Sequence, residues 1–148
     1  MADSANSASF IAADTTTLGN WKGLYGADGE IIATTPTFSQ VMLKAASQTD
    51  HIASTYYDAS TVALDINFTD GATHRVAIYL LNFDTSGRAE TVTVLDAATN
   101  AVLDTRSASS FVNGEYLVWN ISGHVTIHVA CTGGPNAVVS GVFFGPVL

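Results

Sequence analysis

Basic residues are nearly missing. Lys and Arg together number five against thirteen Asp and Glu, giving a formal net charge of −8 and a pI near 4.5. Nucleic acids and anionic membrane surfaces both call for a basic patch, and this composition argues strongly against either partner. Charge of either sign is scarce at 12% of residues, about half the usual share of roughly 25%. Solubility therefore rests on Ser and Thr hydroxyls and on the acidic excess. No apolar run approaches the roughly 20 residues that a spanning helix needs. Cys131 is the lone cysteine, so an intrachain disulfide is excluded. Its place at the end of an apolar run reads as a small buried hydrophobe and a poor nucleophile. Residues 1–8 lack the apolar stretch of a signal peptide. They are expected to be a disordered tail, or residues left where a domain is excised from a longer chain. Residues 9–148 are expected to form a single module, long enough for a real core.

What is present is alternation. From Thr61 to Asp84, Val62, Leu64, Ile66 and Phe68 alternate with Ala63, Asp65 and Asn67, and Val76, Ile78 and Leu80 continue the pattern after Asp70-Gly71. A period of two marks half-buried strands. Read as a hairpin, a two-residue turn pairs Ile66 with Arg75 and mixes a charge into the apolar set. A loop one residue longer pairs Ile66 with Val76 and Leu64 with Ile78, and is preferred on register grounds. Asp65, Asn67, Arg75 and Tyr79 then share the open face. Leu81 and Phe83 have the parity of Tyr79, so that face is expected to become covered towards one end, under the glycine-rich loop.

Two further hairpins follow. Glu90–Asp96 with Ala101–Arg106 pairs Val94 with Leu103 across a four-residue loop. Glu115–Ile121 with His124–Cys131 has two registers: a Ser122-Gly123 turn leaves Trp119 on the outer face beside His128, and an odd loop buries it. Ser9–Ala13 reads as a first edge strand, Ile31–Ala33 and Phe38–Leu43 as short strands, and Ala137–Phe144 as the last. Ala45–Tyr57 is the one stretch that holds a candidate helical turn. Between Asp14 and Glu30, Gly19, Gly23, Gly26 and Gly29 recur too densely for a helix or a central strand, and mark a structured loop carrying Trp21 and Tyr25. It has neither a glycine fingerprint opening a helix nor a Walker lysine, so it is not a phosphate cradle. About nine short strands predict an all-β fold, an antiparallel β-sandwich of jelly-roll type. An immunoglobulin sandwich is the second choice, because its paired cysteines are missing.

Three passages carry a resemblance: GNWKGLYGADGE at Gly19–Glu30, TDGATHRVAIYLLNFDTSGRAETVTVLDAATNAVLDTR at Thr69–Arg106, and GEYLVWNISGHVTIHV with GPNAVVSGVFFG near the end. Together they resemble a β-sandwich module of multimodular bacterial extracellular proteins, related in shape to galactose-binding-like and carbohydrate-binding modules. The resemblance implies a secreted or cell-surface location, further domains in a larger parent protein, and glycan binding on a concave sheet face or at a rim. It also implies a structural calcium near the chain ends, although Phe143-Phe144-Gly145 offers no carboxylate there. No other cofactor is expected.

Enzymatic signatures are weak. The acids are scattered singly, and no pair suggests the facing carboxylates of a glycosidase. His124 and His128 share a strand face about 13 Å apart, too far to ligate one metal. No Gly-x-Ser-x-Gly elbow exists. The expectation is a non-catalytic module that binds a polysaccharide or oligosaccharide, a β-glucan-like plant or microbial cell-wall glycan. A structural or adhesive spacer is the alternative. Sugar binding asks for exposed aromatic rings beside a few polar groups. Trp21, Tyr25, Tyr56 and Tyr57 supply these at a rim, and Asp65, Asn67, Arg75, Tyr79, Trp119 and His128 on a sheet face. Trp21 equally suits a plug in the open end of the sandwich, and the Asp65, Asn67 and Arg75 group a solvated charge cluster.

Overall fold

The computed structural model describes residues 5–32, 42–43, 51–52, 54–84 and 87–148. Among them there is no helix. A five-stranded sheet contains, in spatial order, β1 (Ser7–Asp14), β10 (Glu115–Ser122), β7 (Thr73–Leu80), β13 (Gly141–Gly145) and β2 (Gly29–Ile32). A four-stranded sheet contains β6 (Thr61–Asn67), β11 (His124–Gly133), β8 (Ala89–Asp96) and β9 (Val102–Ser109). Two short ribbons pair β12 (Ala137–Val139) with β5 (Tyr56–Asp58), and β3 (Met42–Leu43) with β4 (His51–Ile52). All strand pairs are antiparallel. The expected helical turn at Ala45–Tyr57 and strand at Phe38–Leu43 fall largely outside the described residues.

Alternation places the core as expected in β6, β7 and β8, and of the two faces left open for Glu115–Ile121 the one carrying Trp119 turns inward. Val76, Ile78, Leu80, Leu117, Trp119 and Ile121 face inward from one sheet, and meet Ile66, Val92, Val94, Val125, Ile127 and Val129 from the other. This is an antiparallel β-sandwich, with apolar faces turned towards each other because neither sheet can hide its face alone.

The pairing differs from the expected hairpins in two of three cases. β6 and β7 lie in different sheets: Ile66 pairs with Val125, and Val76 with Trp119. The link across residues 68–72 crosses between sheets, so Ile66 does not pair with Val76. β10 and β11 are likewise split, joined by Gly123 alone at φ 74°. One residue cannot close a hairpin; it turns a corner, with the Phe68 N–H donating to the Gly123 carbonyl (3.0 Å). Parity explains the agreement in facing despite the error in pairing. A corner keeps Leu117, Trp119, Ile121, Val125 and Ile127 all inward, as the odd loop would. The β8–β9 hairpin forms, but a bulge between Val94 and Leu95 pairs Val94 with Asp104 rather than Leu103. At the other chain end β1 begins at Ser7, and the Asn6 side chain donates to Asp96 Oδ2 and accepts from the His124 N–H.

Candidate functional site

The ten residues expected at a glycan site divide among four places. Trp21, Tyr25, Arg75 and Tyr79 meet on the outer face of the five-stranded sheet. The glycine-rich loop folds across that face rather than standing at a rim. Trp21 is 5% exposed, its ring 4.9 Å from that of Phe143. Tyr25 stacks on Tyr116 (4.5 Å), and Tyr116 stacks on buried Tyr79 (4.4 Å). Arg75 is 8% exposed, donates to the Leu24 carbonyl at 2.7 Å and lies over the Tyr25 ring. Gly26, at φ 76°, packs so closely that a Cβ would sit 3.1 Å from Trp21 and 3.3 Å from Phe143. Asp14 anchors the loop by accepting from the Thr16 and Thr17 N–H groups and from the Tyr25 hydroxyl (2.7 Å). Burial opposes its ionisation, yet the bonds from Thr17, Tyr25 and Thr16 outweigh that and hold its carboxyl well below the usual range. Burial and the Asp14 carboxylate together push the Tyr25 hydroxyl upward.

Trp119 is in a second place, the main core. It is fully buried, its Nε1 donates to Asp104 Oδ2 (2.7 Å), and its ring meets the edge of Phe10. Arg106 closes that side by forking onto both Asp104 oxygens (2.8 Å each) and covering the Phe10 ring.

The third place is open. β6 is an edge strand, and between it and β13 and β2 runs a groove of about 250 Å³. Ile31, Leu64, Val142 and the rings of Phe68 and Phe144 make it apolar, and Asp65 and Asn67 stand at its lip, both exposed. Phe68 meets Phe144 edge-on at 6.1 Å and stacks on His74 at 4.3 Å. His74 pairs with Asp70 (2.9 Å), and His124 reaches Asp65 Oδ1 (2.5 Å). His128 lies farther along the same outer sheet face, half-buried between Ala63 and Thr93. The expected cluster of Asp65 and Asn67 with Arg75 and Tyr79 therefore does not form. The two pairs occupy opposite outer faces, because β6 and β7 belong to different sheets.

Tyr56 and Tyr57 are in the fourth place, on the β5 ribbon at the end of the sandwich where β6 begins. Both are exposed, Tyr57 to 71%. Phe83, at the same end, is exposed as well, against the expectation that it shares the covered face of Tyr79. Beneath this end sits a buried polar hub that pattern reading missed. Arg88 donates to Asn82 Oδ1 (2.7 Å), Asp84 Oδ1 (2.9 Å) and Asn136 Oδ1 (2.7 Å), and Glu90 accepts from the Val138 N–H (2.6 Å). The signal was available: Asn82 continues the inward column of Ile78 and Leu80, and Glu90 that of Val94 and Val92. Burial pushes the Glu90 carboxyl up to about 7, against the Val138 N–H and the Arg88 charge.

Among the described residues, no group of three or more His, Cys, Asp or Glu is placed to hold a metal ion. Nor is a cation offered to a ligand there: Arg75 and Arg88 are buried, Arg106 is paired with Asp104, and Lys22 lies over the Trp21 ring. The fold defines the class, an all-β antiparallel sandwich. No family model, curated protein or solved structure matches the chain.

Proposed function

We propose that the protein is a non-catalytic module that binds an uncharged polysaccharide in the groove beside β6. The observation that carries this reading is the groove itself: an apolar, aromatic-lined trough of about 250 Å³ with Asp65 and Asn67 at its lip. Apolar walls suit the C–H faces of a sugar ring, and a carboxylate and an amide suit its hydroxyl edge. Net charge −8, with the described cations buried or engaged, disfavours uronate-rich and sulfated glycans and favours neutral ones such as β-glucans. Tyr56 and Tyr57 are a second place for stacking. A jelly-roll connectivity, a bacterial extracellular setting and neighbouring domains in a larger parent belong to the same reading.

One observation favours the alternative, a structural or adhesive spacer. Trp21, Tyr25 and Trp119, the rings best suited to sugar stacking, are used in packing. Affinity electrophoresis on glucan, xyloglucan, xylan and mannan gels separates the two. The binding reading expects retardation on at least one neutral glycan. It expects Asp65→Ala with Asn67→Ala to abolish the shift, while Tyr57→Ala weakens it only if the end ribbon takes part. No shift on any gel leaves the spacer reading.

A further inference from the structure

We propose that Asn113 is a modification site, whose side-chain amide is lost by ring closure onto the Gly114 nitrogen when the turn holding both residues opens. Among the asparagines of the chain, Asn113 alone precedes glycine. A glycine neighbour matters because it has no Cβ to shield its nitrogen and leaves the backbone free to turn towards the amide. Asn113 is exposed, and Gly114 beside it is buried. Packing imposes the glycine. Gly114 has φ 94°, and a Cβ there would collide with the Tyr79 hydroxyl, so the fold keeps the reactive dipeptide in place.

The closed turn keeps the reacting atoms apart. The Gly114 N–H donates to the Phe111 carbonyl at 3.1 Å, with Val112 and Asn113 at the centre of the turn. Neither central residue has positive φ, and none of the turn's peptide bonds is cis. Those facts leave a type I turn, whose third residue has ψ of about 0°. The Gly114 nitrogen then eclipses the Asn113 nitrogen rather than Cβ, and stands away from the side chain. The proton that must leave before attack is also committed to Phe111. Reaction therefore waits for the turn to open, a local event that needs no global unfolding.

Solvent water completes the chemistry. The Gly114 nitrogen loses its proton and bonds to Asn113 Cγ, and ammonia leaves carrying a proton in its place, so that a cyclic imide forms. Water then opens the ring at either carbonyl. Breaking the bond from nitrogen to Cγ gives an ordinary aspartate. Breaking the bond from nitrogen to the main-chain carbonyl carbon gives a β-linked aspartate, with an extra carbon in the backbone. The lengthened link cannot seat Gly114 both on the Phe111 carbonyl and under the Tyr79 hydroxyl. That carbonyl also accepts the Asn82 N–H (3.0 Å), and β10 starts at Glu115 opposite Leu80. The β-linked product thereby loosens the end of the sheet where β7 and β10 meet, and the turn that opened reversibly no longer closes in its native form.

Incubation of the whole chain at mildly alkaline pH, in buffer and in guanidinium chloride, tests the proposal. Peptide mass spectrometry reads replacement of the amide by an acid, and labelling with an isoaspartyl methyltransferase reads the β-linkage. The expected result is conversion at Asn113 that is slower in buffer by about tenfold or more, the ratio an opening cost above about 1.4 kcal/mol sets. Asn113→Gln, whose ring closure needs a larger ring, is expected to stay unmodified over the same period. Asn113→Asp, which has the ordinary linkage, is expected to melt with the native protein, and the labelled fraction below both. No conversion at Asn113 in guanidinium chloride, equal rates in the two samples, or a labelled fraction that melts with Asn113→Asp would each overturn it.

Discussion

Glu90→Gln changes one buried proton site and little else, so its effect on the pH dependence of stability follows from the structure. In the folded protein, burial carries the carboxyl from 4.5 up to about 7. Between those values the folded chain binds more protons than the unfolded one, so stability falls as pH rises. The contribution is fully present below the unfolded value and gone above the folded one. At about 1.4 kcal/mol per pH unit, the whole window amounts to roughly 3 kcal/mol. Gln is isosteric with the protonated acid, and its carbonyl retains the Val138 N–H bond without ionising. Near pH 4.5 the two proteins are expected to be about equal in stability. At pH 8 Glu90→Gln is expected to be more stable by about 3 kcal/mol, because the attraction of Arg88 is already contained in the folded value of about 7. Urea unfolding followed by Trp fluorescence at several pH values reads this directly, because both tryptophans are buried. The remaining titrating groups are common to both proteins and cancel in the difference. Parallel stability curves, or a native protein that gains on the variant as pH rises, would refute the argument.

Other positions give sharp outcomes. Trp21→Ala removes the ring that pins the glycine-rich loop to Phe143, and is expected to cost about 3–5 kcal/mol in denaturant unfolding, while a folded sample keeps any polysaccharide retardation. Gly114→Ala places a Cβ 2.0 Å from the Tyr79 hydroxyl at a residue with φ 94°. Its melting temperature should fall sharply, and adding Tyr79→Phe should restore only part, because the ring carbons stand 2.5 Å away as well. Asp14→Asn leaves the carbonyl acceptor but not the charge. Ionised Asp14 contributes stability above its ordinary 3.8 that is lost as pH falls below it, so the variant's acid unfolding profile should be flatter, as acid titration by circular dichroism would show.

The fold was legible where one side chain in two had to be apolar. The even-numbered set from Val62 to Leu80 identifies an inward face without reference to partners, whereas from Leu117 to Val129 the alternation is plain but its inward side depended on the loop between the strands. Partners were not legible, because a tight hairpin and a corner between sheets can impose the same alternation on the flanking strands. Gly123 illustrates this. As half of a Ser122-Gly123 turn it predicts β10 against β11, and as a one-residue corner it sends them into different sheets with Trp119 and Val125 both inward. Short-range sequence carries φ preference, and glycine suits both solutions. What decides is which arrangement covers more apolar surface, a property of all nine strands of the two sheets together.

The same ambiguity governs the candidate site. Asp65, Asn67, Arg75 and Tyr79 share an outward parity, and a hairpin would have made them neighbours. Once the chain crosses between sheets, outward means two different surfaces. On one, a loop with glycine at every third or fourth position comes close enough to bury Arg75 and Tyr79. On the other, β6 is an edge strand and nothing described lies over Asp65 and Asn67. One face is covered and the other open, which also explains why the aromatic residues most suggestive in sequence are unavailable. A ring large enough to serve as a sugar platform is equally able to seal a sheet that carries few charges of its own. The groove is consequently built from residues with no prominence in the sequence: Phe68 at the end of an alternating run, Phe144 in the last strand and Ile31 on an edge. If ligand binding localises there, the binding surface was set by which sheet edge the chain left open.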